Sequence, residues 1–282
     1  MVDFLIGLGS RGVVLEGQRQ AHLRLKFYFR SDEQVTDKID SLSAYLAELG
    51  LTRKSRLSAR SVSDEDWNRF WQMHSVALQP IGRTLLIRAP WHRVSEEHAG
   101  RTPVTIEPSM AFGTGTHETT RHCLEFLETL LGGSAAGRTF LDVGCGSGIL
   151  AFAAFKMGAR AVSAVDTDPV ALENARRNAV LNEAEEIRFL DSIPTDVPFD
   201  LVSANIISGA LIALRKTLQD AVGEGGNLIL SGILDEEAEE VFAIYQAGFD
   251  RIGAENTGRW TTLLLERKIA KAVPASPLEP PS

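Results

Sequence analysis

At 282 residues, 44% of them apolar, the chain is long enough for one large domain or a large and a small one. Its net charge of −8 argues against a protein that coats nucleic acid by charge alone, and no stretch approaches the length of a membrane span. Its two cysteines, Cys123 and Cys145, are too few for a disulfide framework and read as reduced, structural residues.

The first ten residues carry an apolar patch without a basic leader or a small-residue cleavage site, which predicts a cytoplasmic protein. Charge is unevenly spread. Residues 1–63 hold ten Lys or Arg against seven Asp or Glu, net +3, leaving 19 against 30, net −11, for the remainder. A surplus of three fits an ordinary solvated surface better than an RNA-binding face.

Residues 2–8 read as the tail of a helix stopped by Gly9. Apolar periodicity then predicts strands over 12–16 and 22–29, a helix over 35–49 and a strand over 55–62. That β-β-α-β order is a split β-α-β sandwich without its first strand. Within 64–79, Trp67, Phe70, Trp71 and His74 recur on one helical face and read as a packing joint. The predicted organisation is a small α+β domain over 1–63, truncated at its start, a linker helix over 64–80, a large domain over 81–268 and a tail over 269–282. Four prolines in the last nine residues predict disorder there.

The large domain opens with a short strand, 84–88, and a polar stretch. Strands follow at 139–143, 161–165, 187–190, 200–205 and 227–231, alternating with helices, which predicts a parallel sheet covered on both faces. Asp168 and Pro169 cap the helix after the second of these. Two last strands, 249–254 and 260–266, have no helix between them, so the final one is antiparallel. The fold class is α/β, with a seven-stranded sheet.

The run T-F-L-D-V-G-C-G-S-G-I-L, 139–150, breaks from an apolar strand into Gly144, Gly146 and Gly148 and then enters a helix. Glycines there let the backbone pass close to a ligand, and the helix start offers N–H groups to it. Asp166 ends the next strand, where a carboxylate accepts hydrogen bonds from both ribose hydroxyls of a nucleoside. A dinucleotide site spaces its glycines G-x-G-x-x-G, whereas here the third comes one position early. Asp142 adds a carboxylate that repels a diphosphate and suits a cation, so S-adenosylmethionine fits better than NAD.

A second loop, M-A-F-G-T-G-T-H-E-T-T over 110–120, reads as a lid. Gly113 and Gly115 permit positive φ, Thr116, Thr119 and Thr120 cap the following helix, and Phe112 covers the ligand. Asn205 ends the fourth strand of the large sheet, on the edge where open sheets bind ligands, and its carbonyl can orient an amine. Ile206, Ile207 and Ser208 follow it, in place of the prolines and stacking aromatic of an enzyme that methylates a nucleobase amine. An aliphatic amine such as lysine suits those isoleucines, and no nucleic-acid reading is expected. His117, Glu118, His122 and Cys123 cluster in sequence, but a spacing of five puts the histidines on different helical faces, so no metal is expected.

Four segments together, F-G-T-G-T-H-E-T-T, L-D-V-G-C-G-S-G-I-L-A, V-D-T-D-P and V-S-A-N-I-I, closely resemble the PrmA-type methyltransferases of ribosomal large-subunit protein eleven. The resemblance runs over 64–268 and includes D-W-N-R-F-W, G-R-T-L-L-I-R-A-P-W and L-S-G-I-L. It implies a Rossmann-like S-adenosylmethionine-dependent methyltransferase acting on lysine ε-amines, and on the N-terminal α-amine, of that ribosomal protein. By resemblance, Thr120, Gly144, Asp166 and Asn205 contact the cofactor, Phe112 is the lid phenylalanine, and the amino-terminal domain recognises the substrate. The chain departs from the family's usual D-P-G before the lid, having Glu107, Pro108, Ser109 and Met110. Two other readings stay open: a lysine methyltransferase for another protein, such as an electron-transfer flavoprotein, and a non-catalytic, cofactor-binding assembly factor.

Overall fold

A computed structural model of the chain describes residues 13–16, 24–27, 29, 35–51, 57–59, 78–107, 117–132 and 137–269. The expectations for 2–8, the aromatic stripe over 64–77, the lid segment 108–116 with Phe112, and the tail 270–282 lie outside those residues. By internal contacts the chain divides into two compact units, 1–73 and 74–282.

In the first unit, strands β1 (Val13–Glu16) and β2 (Arg24–Phe27) pair antiparallel, Val13 opposite Phe27, and helix α1 (Val35–Glu48) follows. Lys38 on α1 stands over the Phe29 ring, 4.5 Å from its centre. Of the expected strand over 55–62, only residues 57–59 are described, and they are not in a strand.

The second unit opens with a three-stranded sheet. β3 (Gln79–Ile81) pairs antiparallel with β4 (Leu85–Arg88), and β5 (Thr102–Thr105) lies parallel to β4. Gln79, expected to close a helix, begins a strand instead, and β5 was not anticipated at all. Its sequence T-P-V-T carries a proline, which is tolerated because β5 is an edge strand.

Helix α2 (Glu118–Leu131) leads into the main sheet: β6 (Thr139–Val143), α3 (Ile149–Lys156), β7 (Ala161–Val165), α4 (Pro169–Asn182), β8 (Arg188–Leu190) and β9 (Phe199–Asn205). Short helices α5 (Ser208–Ala213) and α6 (Arg215–Ala221) precede β10 (Val222–Leu234); α7 (Ala238–Tyr245), β11 (Phe249–Thr257) and β12 (Trp260–Arg267) complete the unit. The seven strands lie in the order β11-β12-β10-β9-β6-β7-β8. β8 to β10 are parallel, and β12 is antiparallel to both neighbours, as the two unseparated final strands predicted.

Central strands are buried on both faces, so Leu141, Leu201, Val202, Ile229 and Leu230 form near-continuous apolar runs with no exposure. α3 is apolar all round because it touches β6 and β7 on one side and β5 and α2 on others, leaving no wet face over Ile149–Ala154. α4 starts where the sequence places it, with the Asp168 carboxylate accepting the Val170 N–H at 2.8 Å.

Glu128 of α2 clips the small sheet to this framework. Its carboxylate accepts the Arg83 N–H at 2.9 Å and the Thr84 N–H and hydroxyl, filling the β3–β4 turn so closely that a Cβ on Gly82 would lie 1.9 Å from Oε2. Burial alone would raise the Glu128 pKa, but the Thr84 and Arg83 hydrogen bonds outweigh it and hold the carboxyl below its ordinary value. A depressed carboxylate stabilises the fold above its unfolded-state pKa and loses that contribution as pH falls through the folded one. Glu128→Ala should therefore cost about 1–2 kcal/mol at neutral pH, read from the urea midpoint. The deficit should shrink as pH falls below the ordinary carboxylate range and the wild-type carboxyl, held below that range, takes up its proton.

Candidate active site

Strand register gathers the predicted residues on one line. Val143 of β6 pairs with Val165 of β7 and with Ala204 of β9, so Asp166, Gly144 and Asn205 emerge side by side at the carboxyl edge, and Ser231 of β10 pairs with Asn205. The chain leaves β6 towards β7 on one side and meets β9 on the other. That is the switch point at which open sheets form a ligand crevice.

At the glycine turn, Gly144, Gly146 and Gly148 all have positive φ, +73°, +52° and +84°. A Cβ at Gly144 would come within 2.4 Å of the Ile206 Cγ2. The turn's N–H groups, expected to face a ligand, are largely engaged by the protein. Val165 O accepts from Gly144 N–H at 2.8 Å and Cys145 N–H at 2.9 Å, and Asp166 Oδ2 accepts from Gly146 N–H at 2.9 Å. Asp166 Oδ1 takes the Asp168 N–H at 3.0 Å. Each carboxylate oxygen keeps a further lone pair, so a half-buried Asp166 can hold the turn and still accept from a diol.

Asp142 is 1% exposed, and one of its oxygens accepts the Ala151 N–H at 3.2 Å from the first turn of α3. Burial pushes its pKa up to about 7; the Ala151 N–H opposes that rise and nearby Asp166 adds to it. Cys123 and Cys145 are free and buried, and burial raises both thiols, Cys123 to about 12. Neither is a thiolate at neutral pH.

Asn205 is half-buried and donates through Nδ2 to the Thr120 hydroxyl at 3.4 Å, which leaves its carbonyl oxygen for another donor. Ile206, next to it, is gripped from two sides, since a Cβ on Gly232 would come within 2.5 Å of its carbonyl oxygen. Gly232 has φ +81° and sits where the β10–β12 register shifts, between Leu230 and Ile233. Its part in setting Asn205 was not foreseen, although a glycine inside a strand pattern is the signal of such a bulge.

The histidines part as their spacing predicts. His117 caps α2, accepting the Thr119 N–H, and lies edge-on to Trp260, ring centres 5.1 Å apart. His122 is buried: its Nδ1 meets the Thr262 hydroxyl at 3.2 Å and its Nε2 the Thr257 hydroxyl at 2.9 Å. Thr262 bonds the Ser231 hydroxyl at 2.6 Å, which donates to the Thr119 carbonyl at 3.3 Å. A polar chain thus joins the β11–β12 hairpin to the helix turn that carries Thr120. Among the described residues no group of three His, Cys, Asp or Glu is placed to hold a metal.

The model of the ribosomal protein L11 methyltransferase (PrmA) family matches residues 9–268. The chain belongs to that family. The match reaches beyond the quoted motifs into the amino-terminal unit. A ribosomal protein L11 methyltransferase of Azotobacter vinelandii is 42% identical over 235 residues, 81% of this chain and 76% of the relative. One from Burkholderia cenocepacia is 36% identical over 261 residues, 92% and 84% of the two chains. The crystal structure of a ribosomal protein L11 methylase from Lactobacillus delbrueckii subsp. bulgaricus superposes with a TM-score of 0.63 at 30% identity, covering 69% of this chain and all of that one. As a family member the chain is an S-adenosylmethionine-dependent protein methyltransferase of Rossmann-like fold.

His122 gives this site a pH signature. Burial lowers its pKa, with Arg121 adding to the effect and Glu255, Glu125 and Glu118 opposing it. The unfolded chain therefore takes up a proton that the native ring refuses, so stability falls as pH drops through about 6.5 towards the folded value. Melting temperature should decline from about pH 8 to about pH 5.5 more steeply in the wild type than in His122→Gln, which keeps polar contacts without a titrating ring.

Proposed function

We propose that the chain methylates amines of ribosomal protein L11, the lysine ε-amines and the N-terminal α-amine, in the crevice bounded by Asp166, Gly144 and Asn205. The observation that carries this reading is their common register line across the switch point. The residues fit the cofactor: a cradle at Gly144 with no room for a Cβ, a carboxylate with spare lone pairs at Asp166, and no lysine or arginine in the glycine turn to balance a diphosphate. When bound, S-adenosylmethionine supplies an electrophilic methyl group on a sulfonium.

In this reading Gly144, Gly146 and Gly148 let the backbone approach the cofactor, Asp166 accepts from the ribose hydroxyls, and the ionised Asp142 adds attraction for the cation. Thr120 steadies the Asn205 amide. Asn205 is the catalytic residue. A lysine must lose its proton before it attacks, at a cost of about 4–5 kcal/mol at pH 7 from a reference pKa of about 10.4. A neutral amide accepts an N–H from the amine without stabilising the ammonium as a carboxylate would, and so aims the nitrogen lone pair without raising the amine's pKa. Most of the rate then comes from alignment and exclusion of water. The amino-terminal unit selects the protein substrate, and we place the reaction in the cytoplasm.

Labelled cofactor incubated with the chain and purified ribosomal protein L11 should give labelled L11; an unlabelled L11 beside another labelled band in a lysate would reject the substrate. Asn205→Ala should lower kcat about a hundredfold while cofactor Kd, by calorimetry, changes only a few-fold. Cofactor affinity should rise with pH through about 7 as Asp142 ionises, and the rise should vanish in Asp142→Asn.

A further inference from the structure

The positive-φ glycines that admit a ligand also leave the turn free to rearrange, because a peptide entering a glycine can rotate at little steric cost. The peptide between Ser147 and Gly148 is the one nearest the start of α3, and a side chain from another helix holds it. Asn178 of α4, fully buried, donates through Nδ2 to the Ser147 carbonyl at 3.0 Å. Its Oδ1 accepts the N–H of Glu107, two residues beyond β5, at 3.0 Å.

Asn178 belongs to a row of buried asparagines four residues apart, Asn174, Asn178 and Asn182. Asn182 makes a closed amide pair with Thr105, accepting its N–H at 2.8 Å and donating to its carbonyl at 2.6 Å. Both Asn178 and Asn182 therefore anchor the chain around the end of β5. Of the two, Asn178 alone bonds the glycine turn as well.

Resting on the function proposed above and deepening it, we propose that Asn178 is a positioning residue of the cofactor site. It fixes the plane of the 147–148 peptide and ties the turn to Glu107, so that the turn is preorganised before cofactor arrives. An amide suits this task, since one planar group must donate to a carbonyl and accept from an N–H. An ionised aspartate sets two acceptor oxygens face to face in a dry site, and alanine leaves Ser147 O and Glu107 N–H without this partner.

The test compares Asn178→Ala and Asn178→Asp with Asn182→Ala in the full chain, measuring melting temperature, cofactor Kd by calorimetry, and kcat and KM. Asn182→Ala should lower the melting temperature while cofactor Kd stays within about twofold of wild type. Both Asn178 variants should weaken cofactor binding about tenfold with the KM for protein substrate unchanged. Equal cofactor Kd in wild type and Asn178 variants, or the same loss in Asn182→Ala, overturns the positioning role and leaves the methyltransferase reading intact. A wild type that binds no S-adenosylmethionine overturns both.

Hydrogen exchange on the wild type provides a measurement that does not depend on any variant folding. Cofactor should slow the Glu107 N–H together with those of Gly146 and Gly148. Protection of the turn with an unchanged Glu107 rate would refute the tie.

Discussion

The Asp166 carboxylate and the Val165 carbonyl, adjacent at the end of β7, hold the Gly144, Cys145 and Gly146 N–H groups, and the rest of the crevice depends on that grip. Glycine is needed there because a Cβ on Gly144 would strike Ile206, but glycine supplies no stiffness of its own. Stiffness has to come from outside the turn. β7 supplies it at one end and Asn178 on α4 at the other, so the site's shape is set by elements that do not belong to its signature motif.

On the opposite side of the switch point Asn205 is set by contact more than by hydrogen bonding. Its side-chain bond to Thr120 is long, at 3.4 Å, while its neighbour Ile206 is fixed between Gly144 and Gly232. The buried chain of His122, Thr262 and Ser231 then braces the first turn of α2, where Thr120 sits. Removing one member of such a chain leaves its partners dry and unpaired, which makes it costly to disturb.

Much of this was legible in the sequence. Parallel core strands show as short apolar runs, so β6, β7, β9 and β10 were located within a residue or two at most ends, although β10 extends well beyond 227–231. The absence of a helix between the last two strands predicted the antiparallel end, and Asp168-Pro169 predicted the start of α4. β5 was hidden because an edge strand with a proline has neither the apolar density nor the alternation that marks a strand. The partners of His122 lie 135 and 140 residues away, and no local pattern reports them. The three asparagines of α4 are visible as a four-residue repeat, yet asparagine on a helix ordinarily marks a wet face, and only the close approach of β5 and Ser147 turns that face inward.

The all-apolar α3 has a consequence for how this unit can be divided. With β5 and α2 covering what the main sheet leaves bare, the small sheet, through Ile81, Leu85, Ile87 and Val104, is part of the core and not an appendage. A chimera that spliced a foreign recognition module directly ahead of α2 would strip that cover and expose a greasy helix to solvent, inviting aggregation. A viable graft must cross over before Gln79, which makes the small sheet travel with the catalytic half.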